Sequence, residues 1–425
     1  MRVSVTRHPS LVTGVLAAAL SVSALASSDW PQYRGPNHDG STTESIAINW
    51  PKEGPKVLWK APVGEAFGSF AVAGGKAFIF FERGGNEVCV AMDANTGKEL
   101  WATPIDKTIF EKQGGNGPRT TPTVDGNNVY VLGTYLKLAC LNAADGKVIW
   151  QKDLAKEHGG DVQLKTAGIN SWGNSASPVI DGNLIFVNGG GKGESLLGID
   201  KKTGNVAWKG TDELLTHASP VPATIHGVRQ IIFFCKSGLV SVVPETGKPL
   251  WNFPFPWKVS TASNPIVYND IVYCSAGYGV GAGACKIVKN GNALAAQPLW
   301  RAEGQLPNHW TTPVCKDGYL YGIYGFKEYG SAPLKCIEIA TGKEMWSKPG
   351  FGSGGGTILV GGKYVLVQGD QGPLVLVEAT PKAYTEVARA QPLGGNKFWT
   401  MAVVADGKIY ARSNKEAICL DVSGK

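Results

Sequence analysis

Charge is scarce in this chain, and clustered charge is missing altogether. Only 18% of its 425 residues are Asp, Glu, Lys or Arg, and the net charge of +7 is spread along the sequence without a Lys/Arg block. A nucleic-acid binder concentrates its positive residues on one face or stripe, so no nucleic-acid partner is expected. The eight cysteines include no adjacent pair and no Cys-x-x-Cys, and the six histidines are scattered without ligand spacing. A zinc site and a covalently attached haem are thereby disfavoured, and no metal ligands are assigned. Past the first 26 residues no long apolar run occurs, so no transmembrane segment is expected there, since a spanning helix takes roughly 20 apolar residues.

Glycine is abundant. The 56 Gly and 25 Pro make up about 19% of the chain, short of the roughly 25–30% of a low-complexity sequence. Each Gly inside a helix costs roughly 1 kcal/mol relative to Ala, so helix bundles and coiled coils are disfavoured. With 43% hydrophobic residues to bury, a turn-rich all-β protein is expected.

The N-terminus carries an export pattern. Arg2 and Arg7 precede an apolar run from Leu11 to Leu25, and Ala24-Leu25-Ala26 has the small-x-small form of a signal-peptidase site. Residues 1–26 are expected to be a signal peptide cleaved after Ala26, giving a periplasmic or secreted protein. The first cysteine is Cys89, so lipid attachment at a new N-terminal Cys is not expected. Residues 27–56 read as an extended segment and 57–425 as a single domain.

A repeat organises that domain. A Thr-Gly-Lys-like turn with a Trp four residues after the Gly ends at Trp101, Trp150, Trp208, Trp251 and Trp346. A degenerate copy ends at Trp300, where Asn290 to Leu299 replaces the compact turn. The intervals between these Trp residues, 43 to 58 residues, suit propeller blades. Upstream of the turns lie hairpin signals such as TPTVDGNNVYVL and SPVIDGNLIFV, two β-rich runs about a Gly/Asp/Asn turn. Four strands and one Trp per unit make a blade.

Eight blades are expected. The first six cover about 70–105, 119–154, 174–210, 217–255, 262–303 and 309–350. The seventh, about 355–393, has Ala388 where Trp stands elsewhere, and the eighth starts at Trp399 with only three strands. VLWKAPVG, with Trp59, reads as a fourth strand without a blade. Pairing it with the last blade closes the ring and removes exposed sheet edges. The Trp series is expected to pack between blades, each indole N–H meeting a backbone acceptor. Cys140, Cys336 and Cys419 read as small buried third-strand residues, and Cys274 and Cys285, flanking a glycine-rich loop, as compatible with a cross-strand disulfide.

The repeat resembles the pyrroloquinoline-quinone-type (PQQ-like) β-propeller repeat family over essentially all of the chain after the signal peptide. That resemblance implies one of two branches. Quinoprotein alcohol and sugar dehydrogenases hold their cofactor over the central channel with Ca²⁺ and a catalytic Asp. The BamB-like branch comprises exported, non-enzymatic scaffolds of outer-membrane protein assembly. Residues 29–40, DWPQYRGPNHDG, look like the opening of many exported members. The adjacent-cysteine pair common in the dehydrogenases is missing, and no segment matches their Ca²⁺ or catalytic Asp positions. The lipoprotein Cys of BamB is missing too.

Candidate binding residues come from propeller topology. Loops feeding the innermost strands open at one mouth of the channel, and here they carry Arg119, Trp172, Asn174 and His217, then Asn264, His309, Trp310 and Trp399. Aromatic faces with Arg, His and Asn suit a flat ligand, a sugar or a partner's peptide. His217 and His309 are of a type that exchanges protons near neutral pH, but no partner carboxylate is evident and no catalytic residue is assigned. The expectation is a binding or scaffold module of the cell envelope with an envelope or outer-membrane protein partner and no cofactor. The alternative is a dehydrogenase using pyrroloquinoline quinone with calcium, and a third reading is a carbohydrate-binding propeller.

Overall fold

The computed structural model describes residue 1 and residues 28–112, 114–161 and 172–424. The expected signal peptide falls outside these, Met1 excepted. Eight antiparallel sheets follow one another along the chain, each with four core strands, consecutive in sequence in every sheet but the last. The protein is an eight-bladed β-propeller. Blade one, for example, runs outward from Ala71–Ala73 through Lys76–Arg83 and Asn86–Asp93 to Glu99–Lys107. The middle strands are apolar on both faces because each blade is packed between two others; in Lys137–Asn142 the four central residues are all buried.

The last sheet is completed from the other end of the chain. Val57–Pro62 pairs antiparallel with Glu416–Asp421, and Trp59 stands opposite Cys419. The same cross-strand relationship recurs around the ring. Trp101 faces Ala91, Trp150 faces Cys140, Trp208 faces Gly198 and Trp346 faces Cys336, each beside a register shift. Only a small third-strand residue leaves room for the indole, which is why these cysteines are where they are. In blade seven Ala388 occupies the Trp position, and its partner has grown to Leu376.

Most of the indoles reach into the following blade. Their Nε1–H groups donate to the carbonyls of Ala94, Ala143, Lys201, Pro244, Ile339 and Thr380, at 2.7–3.2 Å. Trp251 differs: its indole donates to the Gln230 Oε1 of its own blade, at 2.6 Å. The reason lies in blade five, whose outer hairpin has no Thr-Gly-Lys turn to receive it. What stands in place of the compact turn is a longer hairpin, with strands Gly281–Asn290 and Ala293–Glu303 paired up to Asn290 and Ala293.

The cysteine expectation is also corrected. Cys274 stands opposite Gly283 and Cys285 opposite Val272, so the two are staggered rather than paired. Both are buried free thiols, as are most of the others.

Residues 30–42 cross one end of the central channel. Trp30 bridges to Val72 of blade one by two 2.8 Å bonds, and Pro31 accepts from the Val124 N–H of blade two. On the far side the Arg34 guanidinium donates to the carbonyls of Thr312 and Pro313 in blade six, at 2.9 and 2.7 Å. Ser41–Thr42 then adds a parallel strand to blade seven. The channel is thereby stopped at this end. No helix among the described residues is long and apolar enough to cross a membrane.

Candidate functional site

With one end stopped, the channel becomes a cup of about 430 Å³ that opens among the loops feeding the innermost strands. All eight blades contribute to its wall, and Tyr33 and Arg34 of the crossing segment form its floor.

The lower wall is a hydroxyl belt. The Ser69 N–H donates to Thr121 Oγ1, the Thr121 N–H to Ser177 Oγ, and the Ser177 N–H to Ser219 Oγ. The belt continues from the Ser219 N–H to Asn264 Oδ1 and from the Asn264 N–H to Thr312 Oγ1, all steps being 2.9–3.0 Å. Ser69 Oγ closes onto the Met401 carbonyl at 2.7 Å. Each acceptor from Thr121 to Thr312 is followed by Pro. Proline has no N–H to satisfy at the start of the innermost strand, and the polar residue before it ties one blade to the last. This Ser/Thr/Asn-Pro recurrence was the sequence signal for the belt.

The rim is aromatic. Trp310, Trp399 and Tyr329 lie within 19° of parallel, with centroids 5.1–5.9 Å apart. They come from blades six and eight and meet over blade seven, whose entry stretch is Gly352-Ser353-Gly354-Gly355-Gly356: a Cβ on Gly354 would stand 2.4 Å from the Trp399 ring. Buried Asp370 fixes the arrangement, accepting from the N–H groups of Gly330 and Gly354 at 2.9 and 3.3 Å. Tyr278 and Phe326 pack edge-on to His309, and Phe67 stands 5.7 Å from Trp399. Tyr329, Tyr278 and Phe326 lie outside the candidate set, since they sit in loops farther along each blade and carry no repeat signal.

Of the candidate residues, Arg119, Trp172, His217, His309, Trp310 and Trp399 line the cup. Asn174 and Asn264 do not. Asn174 bonds both its side-chain ends to Ala176, at 3.1 Å, and Asn264 belongs to the belt. Trp172 sits on a loop held from behind: its neighbour Asn174 donates to the Thr134 carbonyl at 2.9 Å, and Thr134 donates through its N–H and hydroxyl to buried Glu87.

The electrostatics are one-sided. Arg34, Arg119 and Lys327 line the cup, and no carboxylate does so among the described residues. Arg119 donates to the carbonyls of Gly115 and Gly117, and burial lowers its pKa to about 10. Burial also lowers His217 to about 4, aided by the charge of Arg119, and His309 to about 3, aided by His217 and Lys327. Burial therefore favours the neutral form of both rings at pH 7. Burial raises Glu87 to about 7, against its bonds from Thr134.

Comparison with known proteins bears on the same fold. The family profile described as outer membrane protein assembly factor BamB matches residues 51–131 and 84–324. The chain belongs to this BamB family. A curated relative, the outer membrane protein assembly factor BamB of Burkholderia pseudomallei (strain K96243), is 25% identical over 301 residues, covering 68% of each chain. A polyvinylalcohol dehydrogenase of Sphingopyxis sp. (strain 113P3) is 28% identical over 149 residues, 29% of this chain and 23% of that one. Among solved structures, BamB from Moraxella catarrhalis superposes with a TM-score of 0.59 at 14% identity, covering 87% of this chain and 98% of that one. The quinohemoprotein alcohol dehydrogenase of Comamonas testosteroni gives 0.65 at 13% identity, covering 94% and 81%. At such identities the superpositions show the shared propeller.

Proposed function

We propose that this BamB-family propeller is an exported binding or scaffold module of the cell envelope, without redox turnover, and that the cup is its working surface. The domain is residues 57–425, preceded by the segment 27–56 whose first half floors the cup. The observation that carries the reading is the composition of the lining: aromatic rings, hydroxyls and cations, with no carboxylate among the described residues. Such a surface holds a ligand, and its two histidines are weak bases, because burial opposes the charge each would gain with a proton. An envelope or outer-membrane protein partner fits the printed role of the curated BamB relatives as assembly factors.

The alternative is a quinone-dependent dehydrogenase, favoured by the local similarity to polyvinylalcohol dehydrogenases. The flat rings of Trp310 and Trp399 suit a planar cofactor. The donor set does not suit its calcium, which takes six to eight oxygen ligands with carboxylates prominent among them. Titration of the purified protein with pyrroloquinoline quinone and Ca²⁺ separates the readings. No saturable binding and no alcohol-dependent dye reduction are expected; stoichiometric binding with turnover overturns the binding-module reading. Cell fractionation tests the envelope location.

A further inference from the structure

We propose that the cup receives the end of an acidic glycan, a pyranose unit bearing a carboxylate or sulfate. This inference rests on the reading of the cup as a binding surface and names its ligand class.

The lining is uneven: its charged groups are cations, although the Glu111 carboxylate stands near the Arg119 guanidinium outside it. Arg34 is 3% exposed, and its Nε–H has no partner among the described residues although the side chain lines the cup. Its other nitrogens bond only to backbone carbonyls, those of Thr312, Pro313 and Asp39. Arg119 and Lys327 face the same space. Cations lining a partly desolvated well favour an anion.

Hydroxyls and ring faces then set the class of anion. Thr121, Ser177, Ser219 and Thr312 each accept from a belt N–H and have no acceptor for their own hydroxyl hydrogen among the described residues. Ser260 Oγ, 2% exposed in the same lining, has no partner among the described residues. A polyol supplies the acceptors and donors that this wall needs. Above it, Trp310, Trp399 and Tyr329 stack on one another, and the half-exposed Tyr329 ring at the edge of that stack offers a π surface to the C–H hydrogens of a pyranose.

Access and backbone exclude the middle of a polymer and an extended peptide. The floor formed by Tyr33 and Arg34 makes the cup a dead end, so a chain enters by its terminus. A peptide in an extended conformation is recognised largely through unpaired main-chain groups. Here the N–H groups at the inner wall are already engaged in the belt. A space of about 430 Å³ is of the size that small ligands occupy.

Isothermal titration of the purified protein with trigalacturonate, a sulfated disaccharide and neutral maltotriose tests the proposal. Saturable one-to-one binding of at least one acidic sugar is expected, about tenfold or more tighter than maltotriose and weakening with salt. The tighter of the two acidic sugars identifies the group recognised. K327Q is expected to lower the acidic affinity about tenfold and leave maltotriose unchanged. Y329A, at a half-exposed ring, is expected to weaken the acidic sugars without altering the melting temperature. Equal affinity for neutral and acidic sugars, or no binding by the folded protein, overturns the proposal. In that event the binding-module reading still stands if the quinone titration is negative, and falls only if that titration gives turnover.

Discussion

The indole of Trp59, on the closing strand, lies against Gly97 in the turn of blade one, where an added Cβ would come within 2.6 Å of the ring. The pairing repeats around the ring: Trp101 covers Gly146, Trp150 covers Gly204, Trp208 covers Gly247 and Trp300 covers Gly342. The two signatures of the repeat are thus one contact, made between consecutive blades. Gly97 also has φ +70°, so Ala there meets both backbone strain and the indole. Gly97→Ala should cost about 2–4 kcal/mol. Gly126→Ala, at a hairpin turn with nothing within 4 Å, should cost about 1 kcal/mol. Chemical denaturation of the two variants compares them directly, and equal losses would refute the contact's importance.

Gln230 is fully buried and its Oε1 accepts from both Trp251 Nε1 and Ser241 Oγ, at 2.6 and 2.7 Å. Gln230→Leu preserves volume and strands both donors, so a loss of about 2–4 kcal/mol in unfolding free energy is expected.

Blade seven lost its Trp where the ring lost its turn. Blade eight has no third-to-fourth-strand turn, because its fourth strand comes from the other end of the chain. An indole at position 388 would therefore have no turn to cover, and Leu376 fills the space instead. Ala388→Trp alone should destabilise by about 1–3 kcal/mol through overpacking. Adding Leu376→Ala should recover part of that loss, a coupling that a double-mutant cycle measures.

The pH dependence of stability below neutrality should reflect two opposed contributions. The folded-state pKa values of His217 and His309, about 4 and about 3, lie below the ordinary 6.5. Their neutral forms favour the fold, so their contribution is complete above about pH 6.5 and is lost as pH falls toward 4. Glu87 runs the other way. Raised from 4.5 to about 7, it favours the fold when protonated and loses that contribution as pH rises through 7. Melting curves against pH should show His309→Gln flattening the fall in stability below about pH 6.5 and Glu87→Gln steepening it. An unchanged profile in either variant contradicts the assignment.

Arg34→Met keeps much of the bulk of the floor and leaves the Thr312, Pro313 and Asp39 carbonyls without their donor. Hydrogen exchange should quicken at the amides of Val124 and Leu359, which bond to the crossing segment, while the Lys137–Asn142 strand of blade two keeps its protection.

Much of this fold was legible because its repeat is a spacing rule. The Gly-to-Trp interval, the small third-strand cysteines and the orphan strand at Trp59 each reflect a local constraint that a single sequence displays. The rim was less legible. Trp310 and Trp399 were visible as aromatics outside the repeat, but Tyr329 joins them only through Asp370 and the glycines of blade seven, contacts between distant segments. Asn174 and Asn264 stand at the right place in the chain, yet their amides serve neighbouring backbone rather than the cup. Arg34 was obscured for the same reason, since nothing local tells that residues 30–42 cross the channel.

The ring's manner of closure also dictates the order in which the chain can finish. In synthesis Val57–Pro62 emerges about 350 residues before its partner Glu416–Asp421. Until both are present, Trp59 and the strand that carries it have no sheet to join. Pairing between segments so far apart in sequence is slow to form, and it makes the two strands a single cooperative element. Deleting the last strand should release the first, so a protease probing the N-terminal segment would report damage done at the C-terminus.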